Sequence, residues 1–507
     1  MNRAPVAWDL LLVLVAAKLL FHALSNGPLA WGYMTDELYF LDSTERLQWG
    51  YVDHPPLSIA VLALLRPLTG DGIFAIRLLP ALLGAATIVM TGLIARELGG
   101  GRTAQGLAAL AALATPVVLV MSSYYSMNAF DEILWSLGAW VLVRVLNGGA
   151  PWLWLVLGAV MGLGLLNKVS MLWFGAGVAV GLLLTPARRW LRTPWPWAAG
   201  AIALLMFAPY VVWNARNGWP FLEFSHNAAQ YKVGEVSLLE FFVQQMMAMG
   251  YACGLLWLAG VGFAFASESM RTYRPLPWLF VVPAAILAWS GSARPHYLAP
   301  AFPIAFACGA LLAERLAVRR PWVPRAVAVT LLITWVIAAP IATPVLPPAL
   351  TIRYEDVLGL RPPDERERGG ALPMHLGLFF HAEAVLEPVT RVFNSLTPDE
   401  QARAEILTGS FGETGAVNVL GRRRGLPASI GRHNQYGLWG PGAATGDLMI
   451  VVHDNETELH EWFESCERRA EIECSYCMEM MDAQAVYLCR HARKPLRELW
   501  PAMRFYR

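Results

Sequence analysis

Long apolar segments alternate with short polar ones along the first two thirds of the chain. About eleven of these segments contain roughly 17 to 25 apolar residues, the length that crosses the hydrocarbon core of a bilayer. They lie near 6–24, 73–95, 104–122, 130–146, 152–167, 169–185, 196–213, 241–265, 276–290, 297–314 and 326–345. The pattern predicts a polytopic membrane protein whose first span is retained. A shorter apolar segment, 57–69, predicts a helix that lies at the membrane interface, with a further span as the alternative.

Arginines between the spans mark one side of the membrane. If the spans alternate in direction, the same side receives Arg3, Arg96, Arg102, Arg144, Arg188, Arg189, Arg192, Arg271, Arg274, Arg315, Arg319, Arg320 and Arg325. Because basic loop residues are retained in the cytoplasm, the N-terminus is predicted to be cytoplasmic. The loops 25–72 and 214–240 and the C-terminal region are then expected outside.

The composition changes near residue 348. No later segment is long enough to span a membrane, and 361–368 has the character of a charged linker. Strand-like and helix-like segments then alternate at 404–408, 412–420, 447–453 and 456–468, which is typical of a small α/β domain. We therefore expect a membrane domain over 1–348 and an extracytoplasmic α/β domain over 349–507.

The overall composition narrows the classes of function. Hydrophobic residues make up 56% of the chain and charged residues only 15%, which is too apolar for an ordinary soluble protein. A net charge of +1 without a basic patch gives no argument for nucleic-acid binding. The sequence has no glycine-rich loop ending in Lys-Ser or Lys-Thr, so a nucleotide-driven pump is not indicated.

Four cysteines are clustered near the end of the chain. They are Cys466, Cys474, Cys477 and Cys489. Their spacing would allow a zinc site, but outside the cytoplasm oxidation favours disulfides. Four cysteines allow three pairings. We predict one or two disulfides, with free thiols as a further alternative.

The first outer loop carries two adjacent carboxylates. Residues 36–49 have the alternation of an amphipathic helix, which is predicted to lie along the outer membrane surface. On such a helix Asp36 and Glu37 point about 100° apart, so they cannot both face one small target. Glu37 is the one expected to cap the helix N-terminus, where a carboxylate is favourable.

Several short motifs together resemble one known family. They are Asp36-Glu37 followed by Tyr39, Asp53-His54-Pro55-Pro56-Leu57, the segment 77–84, Asn128 with Asp131, Asn167-Lys168, and Arg294-Pro295-His296-Tyr297. About the first 310 residues thus resemble the family 39 glycosyltransferases and their bacterial relatives. These are membrane enzymes of the GT-C type, which include protein O-mannosyltransferases and the aminoarabinose transferases of lipid A. The resemblance implies a mainly α GT-C bundle of transmembrane helices.

The resemblance also implies a reaction. A hexose or pentose moves from a polyprenyl phosphate to an acceptor hydroxyl, with inversion at the anomeric carbon, and Asp36 is the base. The chemistry agrees, since a positioned carboxylate can take the proton of the attacking hydroxyl. Asp131 lies at the start of the fourth span, where a carboxylate is expensive. It is predicted to assist Asp36, to orient the acceptor or to pair with an arginine, and Glu132 is expected to be structural.

The departing phosphate needs cations or hydrogen-bond donors where negative charge develops. Candidates at the outer ends of spans are Arg77, Lys168, Arg294, His296 and Tyr297. His54 is held rigid by two following prolines. The resemblance implies a role for it in binding the donor phosphate or sugar, because the matching turn faces the donor in the aminoarabinose transferases. The alternative for the basic residues is that they reach towards lipid headgroups. Arg77 has a second alternative, an ion pair that holds the outer loop.

No cofactor is firmly implied. Asp53 and His226 would be the ligands of a divalent metal. Two scattered residues lack the clustered spacing of a recognisable metal site, so simple hydrogen bonding is the alternative.

The sequence therefore predicts a multi-pass glycosyltransferase of a bacterial inner membrane with a periplasmic active site. Its expected partners are a polyprenyl-phosphate sugar, a glycan, lipid or protein acceptor, and membrane lipid, but not nucleic acid. The alternatives are a flippase or transporter of polyprenyl-linked glycans, and a lipid-binding scaffold without catalysis. Transporters place polar residues near the bilayer midplane and show internal repeats, whereas here the polar residues gather at the outer ends of spans.

Overall fold

The computed structural model describes residues 3–232, 237–290, 295–360, 369–478 and 484–507. Its N-terminal part is built of helices. They are α1 Trp8–Asn26, α2 Thr35–Ser43, α3 Leu57–Thr69, α4 Ile73–Glu97, α5 Arg102–Ala114, α6 Pro116–Met121, α7 Met127–Leu146, α8 Leu153–Asn167, α9 Met171–Leu183, α10 Trp195–Arg216, α11 Pro220–Asn227, α12 Leu238–Met249, α13 Tyr251–Ala266, α14 Trp278–Trp289, α15 Phe302–Leu316, α16 Val323–Ala342 and α17 Pro348–Leu358.

Two of the predicted spans are each divided into two helices. The segment 104–122 breaks before Pro116, because the residue that precedes a proline is disfavoured in helical conformation. The span predicted over 241–265 is divided as well: α12 and α13 meet at an angle of 113°. Gly250 lies at that corner with a φ of 76°. A Cβ there would lie 2.6 Å from Thr334 Cγ2, so both the backbone conformation and the space favour glycine.

The count of about eleven spans is not confirmed. Within the described residues, five helices are long and apolar enough to cross a membrane alone, and two bent pairs raise the number to seven. The five are Trp8–Asn26, Ile73–Glu97, Trp195–Arg216, Ala299–Leu316 and Val323–Ala342. Helices α3, α8 and α14 are apolar but shorter.

The C-terminal part is a sheet covered by helices. Its elements are α18 Met374–Gly377, α19 His381–Asn394, α20 Pro398–Arg403, β1 Glu405–Thr408, α21 Phe411–Val419, β2 Ser429–Gly431, α22 Asn434–Trp439, β3 Leu448–His453, α23 Glu456–Trp462, β4 Phe463–Glu471, β5 Ala485–Ala492 and α24 Leu496–Met503. The strand order is β2-β1-β3-β5-β4. Strand β1 is parallel to β2 and β3, whereas β5 is antiparallel to β3 and β4.

The helix predicted over 456–468 is wrong in its second half. Helix α23 ends at Trp462, and the chain continues as strand β4 along the edge of the sheet. Cys466 lies directly opposite Cys489 of β5 and forms a disulfide with it. Cross-strand pairing therefore overrides the helical preference of this charged segment. The other two cysteines, Cys474 and Cys477, also form a disulfide.

The amphipathic surface helix predicted over 36–49 is also corrected. The observed helix α2 ends at Ser43, and eight of its nine residues are buried. The C-terminal part covers it: Leu38 and Tyr39 share one hydrophobic cluster with Val385 and Val417. The protein therefore encloses both the hydrophobic and the polar face of α2. The first outer loop and the C-terminal part form a continuous layer over one end of the helix bundle.

Candidate active site

A cavity of about 860 Å³ lies between that end of the helix bundle, the first outer loop and the C-terminal part. Six of the residues predicted for the site line it. They are Asp36, Asp53, His54, Lys168, His296 and Tyr297. The fold thus brings together side chains from four separate stretches of sequence around one space large enough for a small ligand.

Asp36 and Glu37 face different surroundings. Asp36 is half-buried in the first turn of α2 and lines the cavity. Glu37 points into the protein, where its Oε2 accepts a hydrogen bond from the Met34 backbone N–H at 2.9 Å. Glu37 thus caps its own helix, which leaves Asp36 as the carboxylate of this pair that reaches the cavity.

Arg77 forms a buried ion pair with Glu37. Its Nε lies 2.8 Å from Oε1 and its Nη2 lies 2.7 Å from Oε2 of that carboxylate. Both side chains are fully buried, and Arg77 is not part of the cavity lining. The structure therefore favours the ion pair that holds the outer loop over the predicted binding of the donor phosphate by Arg77.

Lys168 is fixed at the cavity by residues of α7. It follows the last residue of α8, and its Nζ donates to Asn128 Oδ1 at 2.8 Å. The same Nζ lies 3.5 Å from Asp131 Oδ2 and 5.2 Å from the centre of the Tyr297 ring. The side chain of Lys168 is 10% exposed, so its charge faces the cavity from a nearly buried position. This is an arrangement suited to binding an anion.

Asp131 is buried on the side of Lys168 that faces away from the cavity. Its Oδ2 accepts a hydrogen bond from Ser170 Oγ at 3.1 Å, and its side chain is 1% exposed. Asp131 does not line the cavity. A direct catalytic contact, as predicted for Asp131, is therefore not what the geometry favours. Its position suits a residue that orients Lys168.

The turn after the first outer loop presents Asp53 and His54. Tyr39 donates to Asp53 Oδ1 at 2.8 Å, and burial together with this carboxylate holds the pKa of Tyr39 well above its usual range. His54 Nδ1 lies 2.8 Å from the Pro55 carbonyl oxygen. A carbonyl oxygen can only accept, so Nδ1 carries a proton and donates this hydrogen bond. His54 stacks on Phe40 with ring centres 4.8 Å apart, which fixes the orientation of the imidazole.

The predicted metal ligands do not form a recognisable centre. Asp53 lines the cavity, but His226 is exposed on α11 and is not part of the lining. Among the described residues, no three His, Cys, Asp or Glu side chains are grouped so that they could hold a metal ion. Arg294 lies outside the described residues. His296 and Tyr297 follow it in a short turn, with ring centres 4.5 Å apart.

The sequence analysis missed the part of the lining that comes from the C-terminal domain. We call it the C-terminal wall; it consists of His381, Phe411, Arg432, His453, Phe505 and Arg507. These residues are up to 126 positions apart in sequence (507 − 381). A partial signal is the polar and aromatic segment 432–436, in which arginine and histidine are adjacent and a tyrosine follows three residues later.

Comparison with known proteins finds similarity in sequence over part of the chain. A family model described as dolichyl-phosphate-mannose-protein mannosyltransferase matches residues 53–213. A lipid A galacturonosyltransferase, RgtD of Rhizobium johnstonii, is 24% identical over 251 residues, which are 49% of this chain and 53% of that protein. The match thus spans about half the length of this curated relative.

Two solved structures resemble the whole architecture. ArnT from Cupriavidus metallidurans, bound to undecaprenyl phosphate, has a TM-score of 0.60 and 16% identity, with 95% of this chain and 98% of that chain covered. The oligosaccharyltransferase AglB from Archaeoglobus fulgidus, in complex with an inhibitory peptide and a dolichol-phosphate, has a TM-score of 0.53 and 11% identity. That likeness covers 87% of this chain and 65% of the other.

The fold is therefore that of the GT-C membrane glycosyltransferases, as the sequence motifs predicted. The matches in sequence, to the mannosyltransferase family model and to RgtD, each cover less than half of the chain. Its apolar helices fit a multi-pass membrane protein.

Proposed function

We propose that the protein transfers a sugar from a polyprenyl phosphate to a hydroxyl of a glycan acceptor, and that Asp36 is the general base. The observation that carries the proposal is the position of Asp36 and Lys168 on the lining of one cavity. A carboxylate that can accept a proton and a cation that can bind a phosphate thus face the same space. Undecaprenyl phosphate bound to the similar fold of ArnT supports the choice of donor.

The proposed reaction is a single displacement. The acceptor oxygen forms a bond to the anomeric carbon while the bond from that carbon to the phosphate oxygen breaks. Asp36 takes the hydroxyl proton, and the polyprenyl phosphate leaves as an anion. Because the two oxygens occupy opposite faces of the sugar, the configuration inverts.

The donor phosphate is proposed to bind beside Lys168. A charge-assisted hydrogen bond from a nearly buried ammonium stabilises the developing phosphate charge without reorganisation of solvent. His296 and Tyr297 line the same part of the cavity and provide further polar groups. Apolar lining residues such as Leu172, Trp173 and Leu287 suit the first isoprenoid units.

The acceptor is proposed to be lipid A or a related membrane glycan, with the cavity open to the periplasm. The relative named as a lipid A galacturonosyltransferase supports this choice. The name of this relative also favours a hexuronic acid as the transferred sugar. No part of the proposed reaction is routed through a metal ion.

The test is transfer by the purified full-length protein in nanodiscs. Labelled undecaprenyl-phosphate sugars, a hexuronic acid and an aminopentose, would be incubated with lipid A. We expect Asp36→Asn to reduce kcat by at least a hundredfold while the Kd for undecaprenyl phosphate stays within twofold, because the amide cannot take a proton. The matched control is Asp399→Asn, an exposed carboxylate in the first turn of α20. Undiminished turnover in Asp36→Asn would remove this residue from its role.

A further inference from the structure

The C-terminal wall carries buried polar atoms that have no hydrogen-bond partner. In the described part of the chain these are both ring nitrogens of His381, Nε2 of His453 and Nε of Arg432. The two histidine side chains are each 1% exposed, and all three residues line the cavity. Buried polar groups in folded proteins are nearly always paired. Several unpaired groups on one face of a cavity therefore indicate a polar ligand.

The hydrogen-bonding roles of two of these groups can be assigned. The backbone N–H of Asn455 donates to His453 Nδ1 at 2.8 Å, so the proton of the neutral ring is on Nε2. Burial lowers the pKa of His453 to about 4, so the ring is neutral at neutral pH. Nε2 lies 3.4 Å from Glu458 Oε2, and Arg432 Nη1 donates to Glu458 Oε1 at 3.3 Å. The Glu458 carboxylate thus lies close to both side chains, but it accepts a hydrogen bond only from Arg432, and His453 Nε2 stays without a hydrogen-bond partner.

Aromatic rings connect this pair with the first outer loop. The guanidinium carbon of Arg432 lies 5.2 Å from the centre of the Phe505 ring, which stacks on His433 at 4.5 Å. His433 contacts Phe411 at 5.1 Å, and Phe411 contacts Tyr39 at 5.1 Å between ring centres. Tyr39 belongs to α2, so this row of ring contacts reaches the helix that carries the proposed base.

His381 lies at the same end of the wall. The Cβ that Gly412 lacks would lie 3.6 Å from His381 Cδ2 and 2.9 Å from Thr35 Cγ2. Thr35 is the neighbour of Asp36 in the chain. His381 Nε2 lies 3.7 Å from Glu413 Oε1, and burial lowers the pKa of the imidazole. An imidazole whose two nitrogens have no hydrogen-bond partner among the described residues therefore lies close to the residue that precedes the proposed base.

We propose that the C-terminal wall is the acceptor subsite and that it binds a sugar headgroup. The sugar hydroxyls pair with His381, His453 and Arg432, and the apolar face of the sugar ring packs on Phe411 and Phe505. A saccharide suits this surface because hydroxyls both donate and accept, while the rings offer apolar area next to polar groups. The inference rests on the proposed function and names the part of the molecule that selects its acceptor.

The test uses the full-length protein in nanodiscs and two probes, one a lipid and the other a soluble saccharide. Undecaprenyl phosphate reports the donor side, and the bisphosphorylated glucosamine disaccharide of lipid A, without acyl chains, reports the acceptor side. We expect His381→Ala and His453→Ala each to raise the Kd for the disaccharide at least tenfold. The Kd for undecaprenyl phosphate should stay within twofold. His453→Gln should recover part of the affinity, because its amide can donate a hydrogen bond.

The matched control is His460→Ala on α23, a histidine whose side chain is 48% exposed. It should change neither Kd. Thermal unfolding checks that each variant folds, and Arg432→Lys replaces any variant that does not. This third substitution keeps the charge but removes the planar donor group.

Three outcomes would overturn the inference. The first is weaker binding of undecaprenyl phosphate with unchanged binding of the disaccharide, which would place the donor on this wall. The second is no change in either Kd, and the third is a wild-type protein that does not bind the disaccharide. A wild-type protein that binds the disaccharide through the wall but transfers no sugar would support the subsite and refute the proposed function.

Discussion

Glu37 and Arg77 form a two-point ion pair inside the protein, with distances of 2.8 and 2.7 Å and no solvent exposure of either side chain. The pair joins α2 to α4, two elements forty residues apart in sequence. Glu37 Oε1 also accepts the Tyr125 backbone N–H at 3.0 Å. A single carboxylate thus fixes the helix that carries Asp36 to two other parts of the membrane domain.

Replacing Arg77 by methionine should destabilise the protein. Removal of one partner from a buried ion pair leaves an uncompensated charge, which costs about 3–5 kcal/mol. The midpoint of thermal unfolding in detergent measures the effect. The control is Arg391→Met, whose ion pair with Glu387 lies on the surface with side chains 67% and 74% exposed. Such exposed pairs contribute about 0–1 kcal/mol, so equal losses in the two variants would contradict the structural role of Arg77.

Replacing Lys168 by methionine should weaken the binding of undecaprenyl phosphate. A hydrogen bond to a charged group contributes about 1.5–3 kcal/mol, which corresponds to roughly a tenfold to hundredfold increase in Kd. The variant should also lose stability, because Asp131 is then buried without its cation at 3.5 Å.

The double variant Lys168→Met with Asp131→Asn separates these two effects. Neutralising Asp131 should restore much of the stability, since the buried charge is removed, but it should not restore the binding of undecaprenyl phosphate. Recovery of binding in the double variant would show that Lys168 acts through Asp131 and not through the phosphate.

Gly415 of α21 marks the contact between the C-terminal domain and α2. A Cβ at this position would lie 2.8 Å from the Leu38 carbonyl carbon and 2.9 Å from the Tyr39 backbone nitrogen. Gly415→Ala should therefore force the two helices apart and cost about 1–3 kcal/mol of stability. Gly200→Ala is the matched control, because a Cβ at that helical glycine meets no atom within 4 Å. Alanine there should be neutral or stabilising by up to about 1 kcal/mol.

Asp42 should make the stability of the same contact depend on pH. Its Oδ2 accepts hydrogen bonds from Tyr436 at 2.7 Å and from Asn418 at 2.8 Å. Burial raises the pKa of Asp42 above the usual 3.8, although these two hydrogen bonds oppose the shift. The folded state therefore binds the proton of Asp42 more tightly than the unfolded state does. The contribution of Asp42 to the free energy of unfolding is fully present below pH 3.8, and it is lost as the pH rises through the raised pKa.

The comparison of wild type with Asp42→Asn measures this contribution. The amide keeps an oxygen acceptor but does not titrate. Unfolding midpoints followed from pH 3.5 to 8 should show the stability of Asp42→Asn increasing relative to wild type as the pH rises. A difference that stays constant over this range would mean that the pKa of Asp42 is not raised in the folded protein.

Some local features followed from the sequence because they depend on neighbouring residues. The apolar segments predicted the positions of the helices, because backbone N–H and C=O groups in lipid must be hydrogen-bonded within their own segment, which a helix achieves. The adjacency of Asp36 and Glu37 predicted that the two carboxylates diverge, with Glu37 as the cap. The strands β1 and β3 were expected at 404–408 and 447–453 and are found at Glu405–Thr408 and Leu448–His453.

Other expectations failed where contacts between distant segments decide the outcome. The helix expected to lie along the membrane is buried because a domain more than 300 residues later in the chain covers it. The charged segment after Trp462 becomes a strand because β5 supplies its hydrogen-bonding partner. Arg77 has the positive charge and the place in the sequence expected of a phosphate ligand, yet in the structure it forms an ion pair with the buried Glu37 carboxylate.

The sequence by itself determined the class of fold: an apolar, mainly helical chain whose first outer loop carries motifs that resemble those of the GT-C glycosyltransferases. Helical periodicity and short motifs are local properties, so they can be read from the order of residues. Only the tertiary structure decided which side chains share the cavity. Lys168, Asp36 and His381 come from separate segments, and their meeting depends on the packing of the C-terminal domain against α2. Packing between distant segments depends on shape and burial in three dimensions, which no local pattern records.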